Sequence, residues 1–469
     1  MPVQIYNSLN KRKEEFIPLK GNTVNMYTCG VTVYDQCHIG HARSLYVFDV
    51  IRRYLKHRGY KVNFVRNITD VDDKIITKAN ELKKTSDEVA KNNIDLYYRD
   101  LDSLGVARAD IEPRATENIP DIIKDVEGLI KNGFAYNVNG DVYFNVRKFA
   151  DYGKLSGQSI EKMMDSVRIE KDEHKKDPLD FALWKKSKPG EPIWKSPWGD
   201  GRPGWHIECS CMSLKHLKCE TLDIHAGGRD LVFPHHENEI AQAEALYGKP
   251  FAKYWIHHGL ITVNAQKMAK SSGNFITIQD ILKKYTVDDL KMFFLFSHYA
   301  SSVDFTDEKM EDAKKALQKF DVLFWKAHEL LKGKDVTPAA SVEFVEKHKA
   351  EFLEALDDDF NTPRALAALF ELINDINKFI AQESGWPDYL PTIYKAVDTL
   401  ENLAREIFGL FAKEADKDLD EDLKKLVEER KAARANKDFK RSDELRDLLK
   451  DKGVIVEDTK QGQTWRWIA

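Results

Sequence analysis

The chain has 469 residues, of which 42% are hydrophobic and 32% charged, and a formal net charge of −5. That length has room for about three domains of ordinary soluble composition. The acidic balance means that any nucleic-acid contact must rest on locally gathered basic residues. No run of about 18 apolar residues and no apolar leader occurs, so the expectation is a cytoplasmic protein with no membrane partner. The five cysteines, Cys29, Cys37, Cys209, Cys211 and Cys219, fall in two distant clusters. An odd count so arranged argues against a disulfide framework and for reduced thiols available to a metal.

Val3–Asn7 reads as a short strand, and Val24–Thr28 as a second one ending in Cys29-Gly30. His38-Ile39-Gly40-His41 follows. A helical pattern then runs from His41, with Leu45, Phe48, Ile51 and Leu55 on one face and Gly59 as its stop. Lys61–Ile68 returns as a strand, closing a βαβ crossover whose loop lies where open α/β sheets bind ligands. Thr69 to Lys74 supplies carboxylates suited to a helix start, and Ser86–Leu104 is a further helix. From Arg108 to Gly201 the pattern breaks into short β-like pieces around Asn132-Gly133 and Asn139-Gly140, with a charged loop from Glu170 to Asp177. This stretch is expected to be an insertion between two halves of the first domain. Trp205–Cys209 and Thr221–His225 read as strands when the α/β pattern resumes, and Pro234 as the first-turn proline of a helix. Tyr254–Val263 is another expected strand, followed by the polar loop Lys267 to Asn274. Beyond Asp307 the pattern is helical, with Thr362-Pro363 as a helix cap and first-turn proline. After Arg430 two helices joined by Lys437 to Lys440 precede strands at Gly453–Val456 and Thr464–Trp467.

His38-Ile39-Gly40-His41 sits after a strand and at a helix start, where free N–H groups and partial positive charge favour an anion. Gly40 leaves room for a nucleotide to approach the backbone. Two imidazoles can donate hydrogen bonds to phosphate oxygens as charge grows on them. Lys267-Met268-Ala269-Lys270-Ser271 places two lysines on a glycine-containing loop, able to hold the β- and γ-phosphates as mobile point charges. Lysine pairs are by themselves usually solvated surface. Together the two motifs resemble the paired HIGH and KMSKS signatures of class I aminoacyl-tRNA synthetases. Cys29, Cys209, His235 and Glu239 form a third constellation. Two thiolates, an imidazole and a carboxylate suit Zn2+, and the residues lie in separated segments that a parallel sheet would bring to one crevice. Their spacing is not that of a zinc finger, so buried structural cysteines remain the alternative.

The segments Tyr27 to Asp35, Arg66 to Lys74, Gly204 to Ser210 and Phe233 to Glu239 all resemble the cysteinyl-tRNA synthetases, and the likeness runs from Ile5 to Trp465. It implies ATP, L-cysteine and tRNA(Cys) as partners, Mg2+ with the ATP, and one Zn2+ held by Cys29, Cys209, His235 and Glu239. That metal would accept the substrate thiolate. A pocket that works by shape alone separates near-isosteres by only about 1–3 kcal/mol, too little to reject serine. His38, Gly40, His41 and Lys270 would bind ATP. His38, His41, Lys267 and Lys270 would stabilise the reacting phosphate. Thr69, Trp205, His225 and Asp230 would line the cysteine or adenylate pocket. The chain departs from the usual loop at Ala269 and Ser272, which puts a hydroxyl contact and loop closure in question.

The implied architecture is a Rossmann-type parallel-sheet catalytic domain in two halves (1–107 and 202–265) around a connective insertion (108–201). A stem-contact region carrying the KMSKS-like loop (266–310), a helical bundle (311–412) and a small α+β anticodon-binding domain (413–469) follow. Between Arg430 and Lys452 nine Lys/Arg face five Asp/Glu, and Arg430, Lys431, Arg434 and Lys437 recur at helical spacing that could follow a phosphate backbone. An ordinary charged helix has the same composition. By resemblance Arg434, Asp443 and Asp458 would contact anticodon bases, and Phe439 stands where relatives carry a packing aromatic. A monomer is expected. Two rivals share parts of the pattern: a cysteine ligase of the mycothiol pathway, which lacks the distal module, and a non-catalytic RNA-binding paralogue.

Overall fold

Val24, Met26 and Tyr27 are fully buried, as a strand sandwiched between two layers requires. In the computed structural model, which describes residues 2–166, 174–268, 273–382, 388–411, 421–436, 438–452, 454–459 and 462–467, this strand is Thr23–Thr28. It sits inside a four-stranded parallel sheet, in the order Ala252–His258, Leu222–Gly228, Thr23–Thr28, Lys61–Arg66. Helix Ile39–His57 makes the first crossover and buries Ala42, Leu45, Phe48 and Ile51. It starts two residues before the expected His41, because His38 caps it. The chain steps outward from Thr23–Thr28 to Lys61–Arg66, and later returns on the other side with Leu222–Gly228. The sheet's switch point therefore lies between these two strands, and the crevice outside their carboxyl ends is the natural ligand site.

The insertion holds helix Ile119–Lys131 and an antiparallel four-stranded sheet, Ala135–Val138, Asp141–Phe144, Phe181–Lys186 and Gly201–Pro203. Asn139 and Gly140 take φ of 55° and 102°, the turn that a two-residue hairpin needs. Of the expected loop Glu170 to Asp177, residues 170–173 lie outside the described residues. Trp205–Cys209 is not a strand. It opens helix Trp205–Leu217, where Ile207, Cys211 and Leu214 follow helical spacing and both sides are buried. Pro234 lies in a wide turn, Val232–His236, with extended backbone at Phe233, and the helix proper is Glu237–Tyr247. The expected strand Tyr254–Val263 is broken at Gly259. Its second part, Ile261–Val263, joins a separate sheet between Gln266–Lys267 and Val303–Phe305.

Helices Asp307–Leu331, Glu343–Asp357, Thr362–Ala381 and Tyr389–Phe408 follow. The cap before Pro363 is Asn361, whose side chain accepts from the Arg364 amide. Thr362 instead donates its hydroxyl to Leu295 O. All of this forms one compact unit ending at Leu410. The second unit, 411–469, pairs helices Glu421–Ala435 and Phe439–Asp451 with hairpin Val454–Thr459/Gly462–Trp467. Its core is Leu423, Val427, Leu449, Val454 and Val456.

Candidate active site

Cys29 follows the strand Thr23–Thr28 directly, and its amide donates to Ala226 O (3.3 Å) across the switch point. Gly30 is needed beside it, since a Cβ there would lie 1.6 Å from Asn67 O. Cys209 comes from helix Trp205–Leu217, His235 from the wide turn and Glu239 from the helix after it. One donor atom of each lies within 4.8 Å of the others, and all but Cys29 are buried. Glu239 Oε1 is 3.4 Å from Cys29 Sγ and 2.9 Å from His235 Nε2. His235 is held from behind: its Nδ1 is 2.8 Å from His206 Nδ1, and Trp205 stacks on the ring at 4.0 Å. His225 Nε2 lies 2.6 Å from Glu239 Oε2, so it turns the other carboxylate oxygen toward the thiols.

Burial pushes the Cys29 thiol well above its ordinary value, and Cys209 and Glu239 add to the rise. Burial would raise Cys209 as well, but the hydrogen bond from Cys29 and the neighbouring His235 together bring it down to about 6. Burial alone would lower His235, yet Glu239 and Cys209 hold it up at about 10. Two thiols and a carboxylate buried together cannot all ionise unless a positive charge joins them. The donor set, two thiols, an imidazole and a carboxylate converging in a buried crevice, fits Zn2+. A second grouping, Cys29, His225, His236 and Glu239, is equally close. In it His225 lies against Glu239, and His236 sits between His257 (2.8 Å) and Cys29 Sγ (3.3 Å).

At the other end of the crevice His38 is the N-cap of helix Ile39–His57. Its Nδ1 accepts from the amides of Gly40 (3.1 Å) and His41 (3.4 Å), while His41 Nδ1 accepts from the His38 amide (3.2 Å). Burial drops His38 to about 4 and His41 well below its ordinary value. Both rings are therefore neutral at pH 7. With Nδ1 an acceptor in each, both carry their proton on Nε2. The rings stack at 3.7 Å. The first signature motif touches the segment that follows the lysine loop. His38 bridges Thr277, Ile39 N donates to Ile276 O (3.1 Å), and a Cβ on Gly40 would lie 3.7 Å from Met268 Cε. Lys267 is exposed on its hairpin, whereas Lys270, Ala269 and Ser272 lie outside the described residues.

Thr69 is buried, receiving from Asn67 Nδ2 (3.2 Å) and donating to Glu208 Oε2 (3.1 Å). Trp205 is 36% exposed. Asp230, in the turn Arg229–Leu231, brings Oδ1 within 2.4 Å of where a Gly228 Cβ would stand. His225 is fully buried beneath the metal donors. His236, His257, His206 and Asn67 have places here that the motifs did not reveal. Asn67, His206 and His236 fall in the segments that carry the family resemblance, but residue type alone gave them no role.

Residues 15–315 match the family model for the tRNA synthetases class I (C) catalytic domain, 351–412 the DALR domain, and 416–466 the cysteinyl-tRNA ligase anticodon binding domain. A cysteine–tRNA ligase of Persephonella marina is 49% identical, over 99% of this chain and 100% of its own. The chain belongs to the cysteine–tRNA ligase family. It is a class I aminoacyl-tRNA synthetase. A second member of the family, from Aquifex aeolicus, is 48% identical over 99% of both chains. The fold is shared more widely. A Mycobacterium tuberculosis methionyl-tRNA synthetase, solved with methionyl-adenylate, superposes with a TM-score of 0.66 at 15% identity, over 83% of this chain and 92% of that one.

In the second unit of this cysteine–tRNA ligase family member, Arg434 and Asp443 are exposed, Asp443 lying 3.1 Å from Arg446, and Phe439 is 57% exposed. Asp458 belongs to strand Val454–Thr459, but its side chain lies outside the described residues, as does Lys437. Arg430 cannot follow a phosphate backbone as its spacing promised: it is 1% exposed and donates to Gln463 Oε1 (2.6 Å).

Proposed function

We propose that the protein joins L-cysteine to tRNA(Cys) through a cysteinyl-adenylate. The cysteine carboxylate attacks the α-phosphate of ATP and pyrophosphate leaves. The terminal ribose hydroxyl of the tRNA then attacks the adenylate carbonyl and AMP leaves. The observation that carries this is the convergence of Cys29, Cys209, His235 and Glu239 within 4.8 Å, in a crevice that also receives the histidine-capped helix. His38 and His41 present Nε2–H groups to the phosphate; as neutral, fixed donors they stabilise developing charge and shuttle no proton. Lys267 and Lys270 neutralise the departing pyrophosphate, with Mg2+ accompanying ATP. Thr69, Trp205 and Asp230 shape the pocket, while His225 keeps Glu239 oriented. Bound to the four donors, Zn2+ would take the substrate side chain as a thiolate and so discriminate against the serine hydroxyl.

We assign residues 1–107 and 202–265 to the halves of the catalytic domain, 108–201 to the insertion, 266–310 to the stem-contact region and 311–412 to the bundle. Residues 413–469 bind the anticodon, with Arg434, Phe439, Asp443 and Asp458 facing the bases. The match of 416–466 to an anticodon-binding domain favours tRNA over an amino-sugar acceptor. We further take the protein to be a cytoplasmic monomer. Cysteine-dependent exchange of labelled pyrophosphate into ATP tests the proposal. Exchange is expected with cysteine, absent with serine, and lost when zinc is chelated; a folded protein without exchange would refute it.

A further inference from the structure

Arg43 is 1% exposed, and no carboxylate pairs with it among the described residues. Burial lowers it only to about 10, so it is a buried cation at pH 7. Its guanidinium is instead surrounded by backbone carbonyls. Nη1 donates to Gly259 O (2.8 Å) and Leu260 O (3.0 Å). Nη2 donates to Tyr299 O (3.2 Å) and Ser301 O (2.5 Å), with His298 O at 3.5 Å. A buried charge without a counter-ion is costly, and an apolar side chain would fill the same core position at less expense. What an arginine adds is a planar fork that fixes several oxygens at once.

Those oxygens belong to the root of the lysine loop. Gly259 and Leu260 lead straight into Ile261–Val263, which pairs Thr262 with Lys267. Tyr299 and Ser301 lead into Val303–Phe305, the other neighbour of that strand. The two roots are in backbone contact, through Gly259 N to Tyr299 O (2.9 Å) and Val303 N to Leu260 O (2.9 Å). A Cβ on Gly259 would fall 2.2 Å from Ser301 O. The returning arm of the loop is tied separately, by Ile278 N to Cys37 O (3.1 Å) and Ile39 N to Ile276 O (3.1 Å). Arg43 stands on the helix that His38 caps, two residues beyond His41.

We infer that Arg43 is a positioning residue for adenylate formation: it locks the incoming root of the Lys267 hairpin to the helix carrying His38 and His41, so that the donors on both sides of the phosphates keep one geometry. This rests on the adenylate reading above. A displacement of about 1 Å in such an arrangement can cost about 100-fold in rate. The metal site is anchored elsewhere, on Cys29, Cys209 and the turn before Glu237, so cysteine recognition should not depend on it.

The test compares wild type, Arg43→Lys and Gly259→Ala in pyrophosphate exchange, zinc content and amide hydrogen exchange. Lysine keeps the charge and loses the fork; alanine at 259 keeps Arg43 and pushes the roots apart. In each variant kcat should fall about tenfold or more, with zinc content and the KM for cysteine unchanged and faster amide exchange in Ile261–Val263 and Gln266–Lys267. Unchanged kcat and unchanged hairpin exchange overturn the inference. So does a loss shared equally by kcat, cysteine KM and zinc content, which marks a merely structural core arginine. If Arg43→Lys does not fold, Gly259→Ala decides on the same criteria. Wild-type protein without exchange activity refutes adenylate formation, and the hairpin's amide exchange then still decides whether Arg43 holds it.

Discussion

His38 commits its Nδ1 to its own helix, accepting from the amides of Gly40 and His41, and His41 returns the bond to the His38 backbone. A capping box built from two histidines thus sets the tautomer of both and puts the proton of each on Nε2, the donor proposed to meet phosphate. Burial, the largest cause, brings His38 down to about 4. The unfolded ring takes a proton below about 6.5 and the folded ring only near 4. The unfolded state therefore binds more protons across that window, and His38 withdraws stability as pH falls through it. Asparagine caps helices well and does not titrate. His38→Asn should keep its melting temperature at pH 7, lose less stability than wild type between pH 6.5 and 4, and lose about 100- to 1,000-fold in exchange kcat. Denaturant melts across pH, with exchange assays beside them, check all three. Residue type and placement pointed to His38 and His41, whereas Cys29, Cys209, His235 and Glu239 were drawn together only by the family resemblance, since their spacing equally suits buried structural residues. His206, His236 and His257 were not legible. Their roles depend on which ring nitrogen meets which neighbour, and a neutral buried histidine leaves no pattern in the chain.

At the scale of elements, parallel strands buried on both faces, the crossover helix and the Asn139-Gly140 hairpin could all be read from periodicity. Cys209 could not. Trp205 to Cys209 alternates as a strand would, and only the continuation through Cys211 and Leu214 reveals a helix buried on both sides, where amphipathic contrast vanishes. The break at Gly259 was hidden for a different reason. The chain stays extended there, but its partners change from the main sheet to the three-stranded one. Asn361 rather than Thr362 caps its helix because the Thr362 hydroxyl is engaged by Leu295 O. The junction of the bundle with the crossover helix carries a prediction of its own. Tyr54 donates to Asp357 Oδ1 (2.6 Å), beside Arg58 at 3.2 Å. Tyr54→Phe leaves that buried carboxylate short of a donor and should cost about 1–3 kcal/mol. Chemical denaturation measures the loss; exchange activity of the folded variant should be unaffected.

For the whole molecule, the chain divides into two compact units after Leu410, and the proposed function puts adenylate chemistry in the first and anticodon recognition in the second. Every residue proposed for the reaction precedes it, and the match to an anticodon-binding domain follows it at 416–466. A chain ending at Lys413 should exchange pyrophosphate at a near-normal rate and fail to charge tRNA(Cys). Equal charging by the shortened chain would refute the assignment of the second unit. Among the described residues no helix is long and apolar enough to cross a membrane. The central claim joins the two ends of one crevice: neutral histidines for the phosphate, and a metal that tests the amino acid by its sulfur. X-ray absorption at the zinc edge, with and without cysteine, tests it most directly. Two sulfur neighbours, from Cys29 and Cys209, should become three when cysteine is added and remain two with serine. A sulfur count that cysteine leaves unchanged would contradict it.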